Sequence, residues 1–338
     1  MVGTSASATT HERYVVGVDL GGQSVRAAVV GSDLSAAEIV SLGSEARNGA
    51  ERVRAQVVDA VVQAVTAAGL TMADIASVGM AVPGHIDPAT GVIIWSPNFG
   101  ATVDGQFQIF LDVPFCEPLS MALGVPVVAG NDANVAALGE FAHLQPEGVT
   151  DIVMFTLGTG IGGGVVSGGK LVTGSSGGAV EIGHHVIVAG GRQCGCGTLG
   201  CMEAYCGTDA ILERAFRMIE KNRASTLWDR IAGDKTTLTP LMVSQAAEDG
   251  DETAREVWEE TGYYLGIGIA NAVNFFNPQL VILGGQIRKA HGLIDAAERS
   301  MRRHTIHSLA RSCRIVEAQL GNRAGVVGGG VLAMTSPG

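Results

Sequence analysis

Two stretches of the chain share one pattern of apolar and polar positions. Residues 14–30 and 151–166 each begin as an apolar, β-branched run, break at glycines (Gly21 and Gly22; Gly158, Gly160 and Gly162), and resume as a second apolar run. That pattern predicts two β-hairpins. Glycines at such turns leave backbone N–H groups uncovered by any Cβ, the geometry that cradles phosphate oxygens. One glycine hairpin is common; two, one opening each half of the chain, point to a duplicated α/β domain that holds a nucleotide polyphosphate. Helical periodicity over residues 49–68 and 251–274 alternates with short apolar runs of strand length at 77–82, 126–130 and 280–283, and a last helix is predicted over 324–334. The fold class is therefore α/β.

The ends of the predicted strands carry the candidate chemistry, because ligands of open α/β sheets gather beyond the carboxyl ends of strands. Pro83-Gly84 closes one strand, and Asn131-Asp132-Ala133-Asn134 closes another and opens a helix predicted over 135–141. Asp132 reads either as a helix N-cap or as a carboxylate that accepts a proton from a sugar hydroxyl attacking a γ-phosphate. The Asn-Asp-x-Asn cluster offers redundant caps, which weakens the first reading. A third glycine turn, Gly284-Gly285-Gln286, follows 280–283 and also reads as a plain strand-to-helix corner.

Composition and charge narrow the class. The 338 residues, 46% hydrophobic with 48 glycines, suffice for two domains with a large core. A formal net charge of −11 argues against nucleic acid or an anionic membrane as partner. No run of about 18 apolar residues occurs, and residues 1–11 are small and polar, unlike a signal peptide. The expectation is a cytoplasmic protein with a disordered tail over 1–11.

The cysteines then matter. His184, Cys194, Cys196 and Cys201 supply the one imidazole and three thiolates of a closed tetrahedral Zn²⁺ site. Buried structural thiols or disulfides are the alternative, but Cys116, Cys206 and Cys313 show no matching spacing, and intracellular chains cluster cysteine mainly for metal or catalysis. Glu181 and Glu203 are left over. Carboxylates compete poorly with thiolates for zinc, so these two acids read as groups that hold a hydroxyl-rich ligand.

These residues resemble the sugar kinases of the ROK family (repressors, open reading frames, kinases), within the actin-like and hexokinase-like ATPase superfamily. The resemblance runs from about Tyr14 to Met334. Its most specific element is Glu181-Ile182-Gly183-His184 followed by Cys194-Gly195-Cys196 and Cys201-Met202-Glu203; the others are Asp19 to Gly22, Val82 to Asp87, Asn131 to Asn134, Gly158 to Gly164, and Leu283 to Gly285. It implies two duplicated ribonuclease H-like domains with a cleft between them: residues 12–130 plus 322–338, and 131–321 with the zinc loop.

The implied activity is ATP-dependent phosphorylation of a hexose, glucose before N-acetylmannosamine, N-acetylglucosamine, mannose or fructose, with a non-catalytic sugar sensor as the other reading. ROK repressors carry an N-terminal helix-turn-helix, and only about a dozen residues precede Tyr14 here. Asp132 would be the general base. Gly84, Asn98, Asn131, Glu181, His184 and Glu203 would hold the sugar, His184 giving its second ring nitrogen to it. Asp19, Gly21, Gly22, Gln23, Thr159 and Gly160 would surround the ATP phosphates and Mg²⁺, with Gly284 and Gly285 near the adenosine. Zinc would be structural and the assembly a homodimer or homotetramer. Gln23 stands where the family has threonine, and the segment over 99–108 is longer than usual and lacks the family's tryptophan.

Overall fold

Both glycine hairpins form, and each nucleates a sheet of the same design. The computed structural model describes residues 14–144 and 148–336; the tail expected over 1–11 lies outside the described residues. In the first sheet β1 (Tyr14–Leu20) pairs antiparallel with β2 (Ser24–Val30), which pairs with β3 (Val40–Gly43), while β4 (Ile75–Val82) and β8 (Val127–Asn131) continue parallel from β1. The order is β3-β2-β1-β4-β8. In the second sheet β9 (Ile152–Leu157), β10 (Ile161–Ser167), β11 (Lys170–Leu171), β12 (Leu280–Gly284) and β13 (Arg314–Glu317) repeat that plan in the order β11-β10-β9-β12-β13. The duplication read from two glycine turns extends to whole sheets.

The chain divides into two units, and each sheet belongs to one. The first comprises residues up to His143, Ser175–Gly178 and the chain from Asn322; the second is Leu144–Gly174 and Ala179–Gly321. In the first unit α1 (Ala50–Ala67) buries Val53, Val57, Ala60, Val61, Ala64 and Val65, a single stripe at helical spacing. The other face of the sheet takes α11 (Ala324–Thr335) at very short range. A Cβ on Gly17 would lie 1.9 Å from the Val326 carbonyl oxygen, and one on Gly79 would lie 2.0 Å from that of Gly329. Only glycine lets these backbones meet.

The division expected after residue 130 falls after His143 instead, because α3 (Asp132–Leu144) packs on α11. A Cβ on Gly328 would stand 1.9 Å from the Val135 carbonyl oxygen. The helix expected over 135–141 also starts earlier, since Asn131 Oδ1 accepts the N–H groups of Ala133 and Asn134 at 3.0 and 3.2 Å. A second small sheet of the first unit joins β5 (His85–Ile86), β6 (Val92–Val103) and β7 (Gln106–Pro114), followed by α2 (Cys116–Leu123). The long segment over 99–108 is thus a hairpin: Asp104 and Gly105, with φ of 50° and 76°, make its two-residue turn.

The second unit covers its sheet with helices. These are the single turn α4 (Glu203–Cys206), α5 (Thr208–Lys221), α6 (Thr226–Ile231), α7 (Pro240–Glu248), the 25-residue α8 (Glu252–Phe276), α9 (Leu293–His304) and α10 (His307–Ser312). Its core includes Phe155, Met202, Ile211, Trp258, Ile269 and Leu283. No helix among the described residues is long and apolar enough to cross a membrane.

Candidate active site

In the first unit the candidate residues gather at the carboxyl ends of β1, β4 and β8 and at a mid-strand irregularity of β6. Beyond β1, Gly21 N–H donates to the Ser24 carbonyl at 2.8 Å and closes the turn; Gly22 faces Asn98, to whose Cβ a Cβ on Gly22 would approach within 3.7 Å. Asn98 is exposed, at the irregularity of β6 between Ser96 and Gly100. Gln23 is exposed in the same turn. Asn131 Nδ2 donates to the Gly84 carbonyl at 3.0 Å, joining the ends of β4 and β8. Gly84 has φ of 104°, and a Cβ there would collide with the Trp95 carbonyl at 2.3 Å, so both its dihedral and its surroundings require glycine.

Asp19 is the partly buried carboxylate of this group. Register places Arg26 opposite it on β2, and the two form an ion pair. Burial pushes the Asp19 carboxyl above its ordinary range while the Arg26 guanidinium pulls it back. Arg26 also donates to the Asn322 carbonyl at 2.8 Å. Arg26 escaped the sequence reading, although counting back from the glycine turn puts it across from Asp19. Asp132 stands one residue beyond β8, with Oδ1 accepting the Ala133 N–H at 2.8 Å. Asn131 Oδ1 accepts the same Ala133 N–H and that of Asn134 as well, so the first turn of α3 has a cap besides Asp132.

In the second unit one carboxylate connects the glycine turn with the cysteine cluster. Glu203, first residue of α4, accepts the Ile161 N–H on Oε2 at 2.8 Å. Its other oxygen lies 4.0 Å from His184 Nδ1 and 3.7 Å from Cys194 Sγ. The turn itself is held by Thr208, whose hydroxyl donates to the Gly158 carbonyl at 2.9 Å. Thr208 was not singled out from sequence; its position at the start of α5 after Gly207 was the available signal.

The ligand atoms of His184, Cys194, Cys196 and Cys201 all lie within 4.8 Å of one another. A tetrahedral Zn²⁺ with bonds of about 2.3 Å to sulfur and about 2.0 Å to nitrogen sets its ligands roughly 3.6–3.8 Å apart. Cys194 Sγ is 3.6 Å from His184 Nδ1, and Cys196 Sγ is 3.7 Å from Cys201 Sγ; the donor set fits the ion. A hydrogen bond from the Thr198 backbone lowers the Cys196 thiol to about 7, whereas burial pushes Cys201 up to about 12. Since Nδ1 faces the sulfurs, Nε2 is the nitrogen left for another partner.

Glu181 is exposed and opens the 3₁₀ turn Ile182–His184, with its carbonyl accepting the His184 N–H at 3.0 Å. Val180 before it has φ of 68°, a left-handed conformation that a β-branched residue rarely takes and that concentrates at functional sites. Two cavities adjoin the glycine turn. One of about 490 Å³ is lined by Thr159, Cys194, Glu203 and Asp209. The other, about 770 Å³, is lined by Thr159, Gly160, Thr208, Leu241, Trp258 and Gly285. Gly285 thus belongs with the Thr159-Gly160 turn, whereas Gly284 is buried in β12 against Met154.

Two matching α/β sheets, each with a glycine turn, and a Cys₃His cluster beside one of them define a duplicated α/β protein with a built metal-donor set. The chain belongs to the ROK family, whose model matches residues 15–336. It is 33% identical to the glucokinase of Halalkalibacterium halodurans, over 95% of each chain, and 32% identical to the glucokinase of Streptomyces coelicolor, over 94% of this chain and 96% of that one. The crystal structure of a ROK family glucokinase from Streptomyces griseus in complex with glucose and AMPPNP superposes with a TM-score of 0.76 at 30% identity, covering 96% of this chain and 100% of that one. The fold implied by the resemblance, two α/β domains of the actin-like ATPase kind, is the fold of this chain.

Proposed function

We propose that the protein transfers the γ-phosphoryl group of ATP to a hexose, glucose foremost, giving glucose 6-phosphate and ADP. It is an ATP-dependent hexose kinase, as its similarity to glucokinases along nearly the whole chain supports. The single observation that carries the mechanism is the division of labour at the end of β8. Asn131 Oδ1 takes the N–H groups of Ala133 and Asn134, so the α3 cap does not depend on Asp132, which is assigned to the chemistry. Asp132 accepts the proton of the attacking hydroxyl as that oxygen bonds to phosphorus and the bond to ADP breaks.

The remaining roles follow the chemistry of each group. Asn131, Gly84 and Asn98 of the first unit, with Glu181, His184 and Glu203 of the second, bind the hexose. His184 would bind the metal through Nδ1, which faces the cysteine sulfurs, and ligation there would hold the ring so that Nε2 serves a sugar hydroxyl. Asp19, Gly21, Gly22 and Gln23, together with Thr159 and Gly160, take the phosphates, and the cavity bordered by Gly285 takes the adenosine. Asp19 would hold Mg²⁺ at the phosphates, and that ion would supply neutralisation of charge on the transferred group. His184, Cys194, Cys196 and Cys201 would hold a structural Zn²⁺, since four protein ligands would leave no position for water.

A second reading, a kinase for an N-acetylated or epimeric hexose, rests on the β6–β7 hairpin that carries Asn98. The test is a coupled assay of ATP with glucose, mannose, N-acetylmannosamine, N-acetylglucosamine and fructose. Glucose is expected to give the highest kcat/KM. A higher value for an N-acetylated sugar would replace glucose as substrate, and turnover of none would leave the sensor reading.

A further inference from the structure

Helix α4 is one turn long. An isolated turn of helix is unstable because nucleation costs more than its single hydrogen bond returns, so the direction in which Glu203 points must be imposed by groups outside α4. The glycine-turn end is tied by the Ile161 N–H, which donates to Glu203 Oε2. The opposite end carries carbonyls that no further turn satisfies, and there a fully buried guanidinium waits. Arg214 of α5 is 0% exposed.

The guanidinium has one partner on α4 and two on α8. Nη2 donates to the Tyr205 carbonyl of α4 at 2.9 Å, and Nη1 donates to the Thr261 hydroxyl of α8 at 2.8 Å. Nε lies 2.9 Å from the Glu260 carboxylate. The Tyr264 ring sits beside it, with 5.7 Å from the guanidinium carbon to the ring centroid. Thr261 is itself tied to α4, because its carbonyl faces Cys206 Sγ at 3.6 Å. Tyr205 reaches the other way: its hydroxyl accepts the Arg192 N–H at 2.9 Å, in the loop that carries Cys194. A buried cation is tolerated only when paired and hydrogen-bonded, and a planar fork can serve three divergent partners where an ammonium cannot.

We infer that Arg214 is a positioning residue for Glu203: by clamping the Tyr205 carbonyl to α8 it fixes the single turn of α4, and with it the Glu203 carboxylate against the Ile161 N–H and beside the cysteine cluster. The consequence for sugar binding rests on the role proposed above for Glu203, while the clamp itself does not.

The experiment pairs two readouts on the full-length, metal-loaded protein. The first needs no sugar: hydrogen exchange at the Ile161 amide. Arg214→Met should raise the exchange rate at Ile161 by about tenfold or more relative to neighbouring β10 amides, since coupled contacts of this kind carry interaction factors of that order. Arg214→Lys should recover only part of the protection. The second is a double-mutant cycle on the hexose KM. If Arg214 acts through Glu203, then Arg214→Met added to Glu203→Gln should raise KM no further than Glu203→Gln alone, while the ATP KM stays within about twofold.

Unchanged exchange at Ile161, or effects on KM that simply multiply, would overturn the inference. A Glu203→Gln protein with normal hexose KM would instead remove Glu203 from the sugar site, and the exchange measurement would still decide the role of Arg214. Should Arg214→Met fail to fold, Thr261→Val, which removes one acceptor and keeps the arginine, should loosen the Ile161 amide in the same direction, and an unchanged amide there would equally count against it.

Discussion

Gly160 and Glu203 are in such close apposition that a Cβ on the glycine would lie 2.5 Å from Glu203 Oε2. The absent side chain is what lets the carboxylate reach the Ile161 N–H. Gly160→Ala should therefore displace Glu203 without unfolding the hairpin, because φ at residue 160 is not in the left-handed region. Misplacement on this scale can cost on the order of 10²-fold in kcat/KM. Steady-state kinetics with hexose varied, alongside thermal unfolding, would check it; near-normal kcat/KM would separate the turn from the carboxylate.

Asp132→Asn should leave the melting temperature unchanged while lowering kcat by roughly 10²–10⁴, since the amide keeps the shape but cannot accept a proton. Asn131→Ala should do the converse to stability, losing the α3 cap at a cost of about 1 kcal/mol. Turnover close to that of the unmodified enzyme in Asp132→Asn would take the residue out of the base role.

Cys196→Ser should lower zinc bound per chain, destabilise the loop around residues 185–201, and raise the hexose KM far more than the ATP KM. Elemental analysis and the two KM values are the measurements. Protein purified without chelators that contains no zinc, or equal rises in both constants, would contradict the structural metal.

The pH dependence of stability should carry the signature of Asp251. This buried N-cap of α8 suffers from burial, which raises its pKa, but the Ala254 N–H and the Ser225 and Thr226 donors outweigh it, and the net shift is downward. A folded-state pKa below the unfolded one gives stabilisation that is present above the unfolded value and disappears as pH falls through the folded one. Asp251→Asn should cost about 2 kcal/mol near neutrality, since one oxygen with three donors is lost. The gap between the two proteins should close as pH drops below about 4, measured by urea unfolding. A gap independent of pH would deny the carboxylate that role.

Local signals made the frame of this fold legible. The hairpins at residues 14–30 and 151–166, the strand at Leu280–Gly284 and the long periodic helix α8 were written in glycine punctuation and apolar spacing, and the Cys₃His spacing foretold a cluster whose ligand atoms meet. What was missed depends on distant parts of the chain. The β6–β7 hairpin is signalled only by the Asp104-Gly105 dipeptide of its turn, and its pairing with β5 joins segments that no local pattern connects. The boundary at residue 143 depends on glycine contacts between α3 and α11, which no local pattern encodes. Arg214 lies on the buried face of α5 with Ile211, Ala215 and Ile219, and helical spacing names none of the partners it meets on α4 and α8.

The closeness of α11 to the first sheet has a bearing on how the protein is made. Ser77 Oγ donates to the Ala333 carbonyl across 256 positions of sequence, and Gly17 and Gly79 lie directly against the α11 backbone. A ribosome must therefore deliver the entire second unit before the first sheet can gain its covering layer. Domains emerging from synthesis ordinarily mature from the N-terminal end; here the later-made unit can finish first, while β1 and β4 wait with one apolar face open to chaperones or to neighbouring nascent chains.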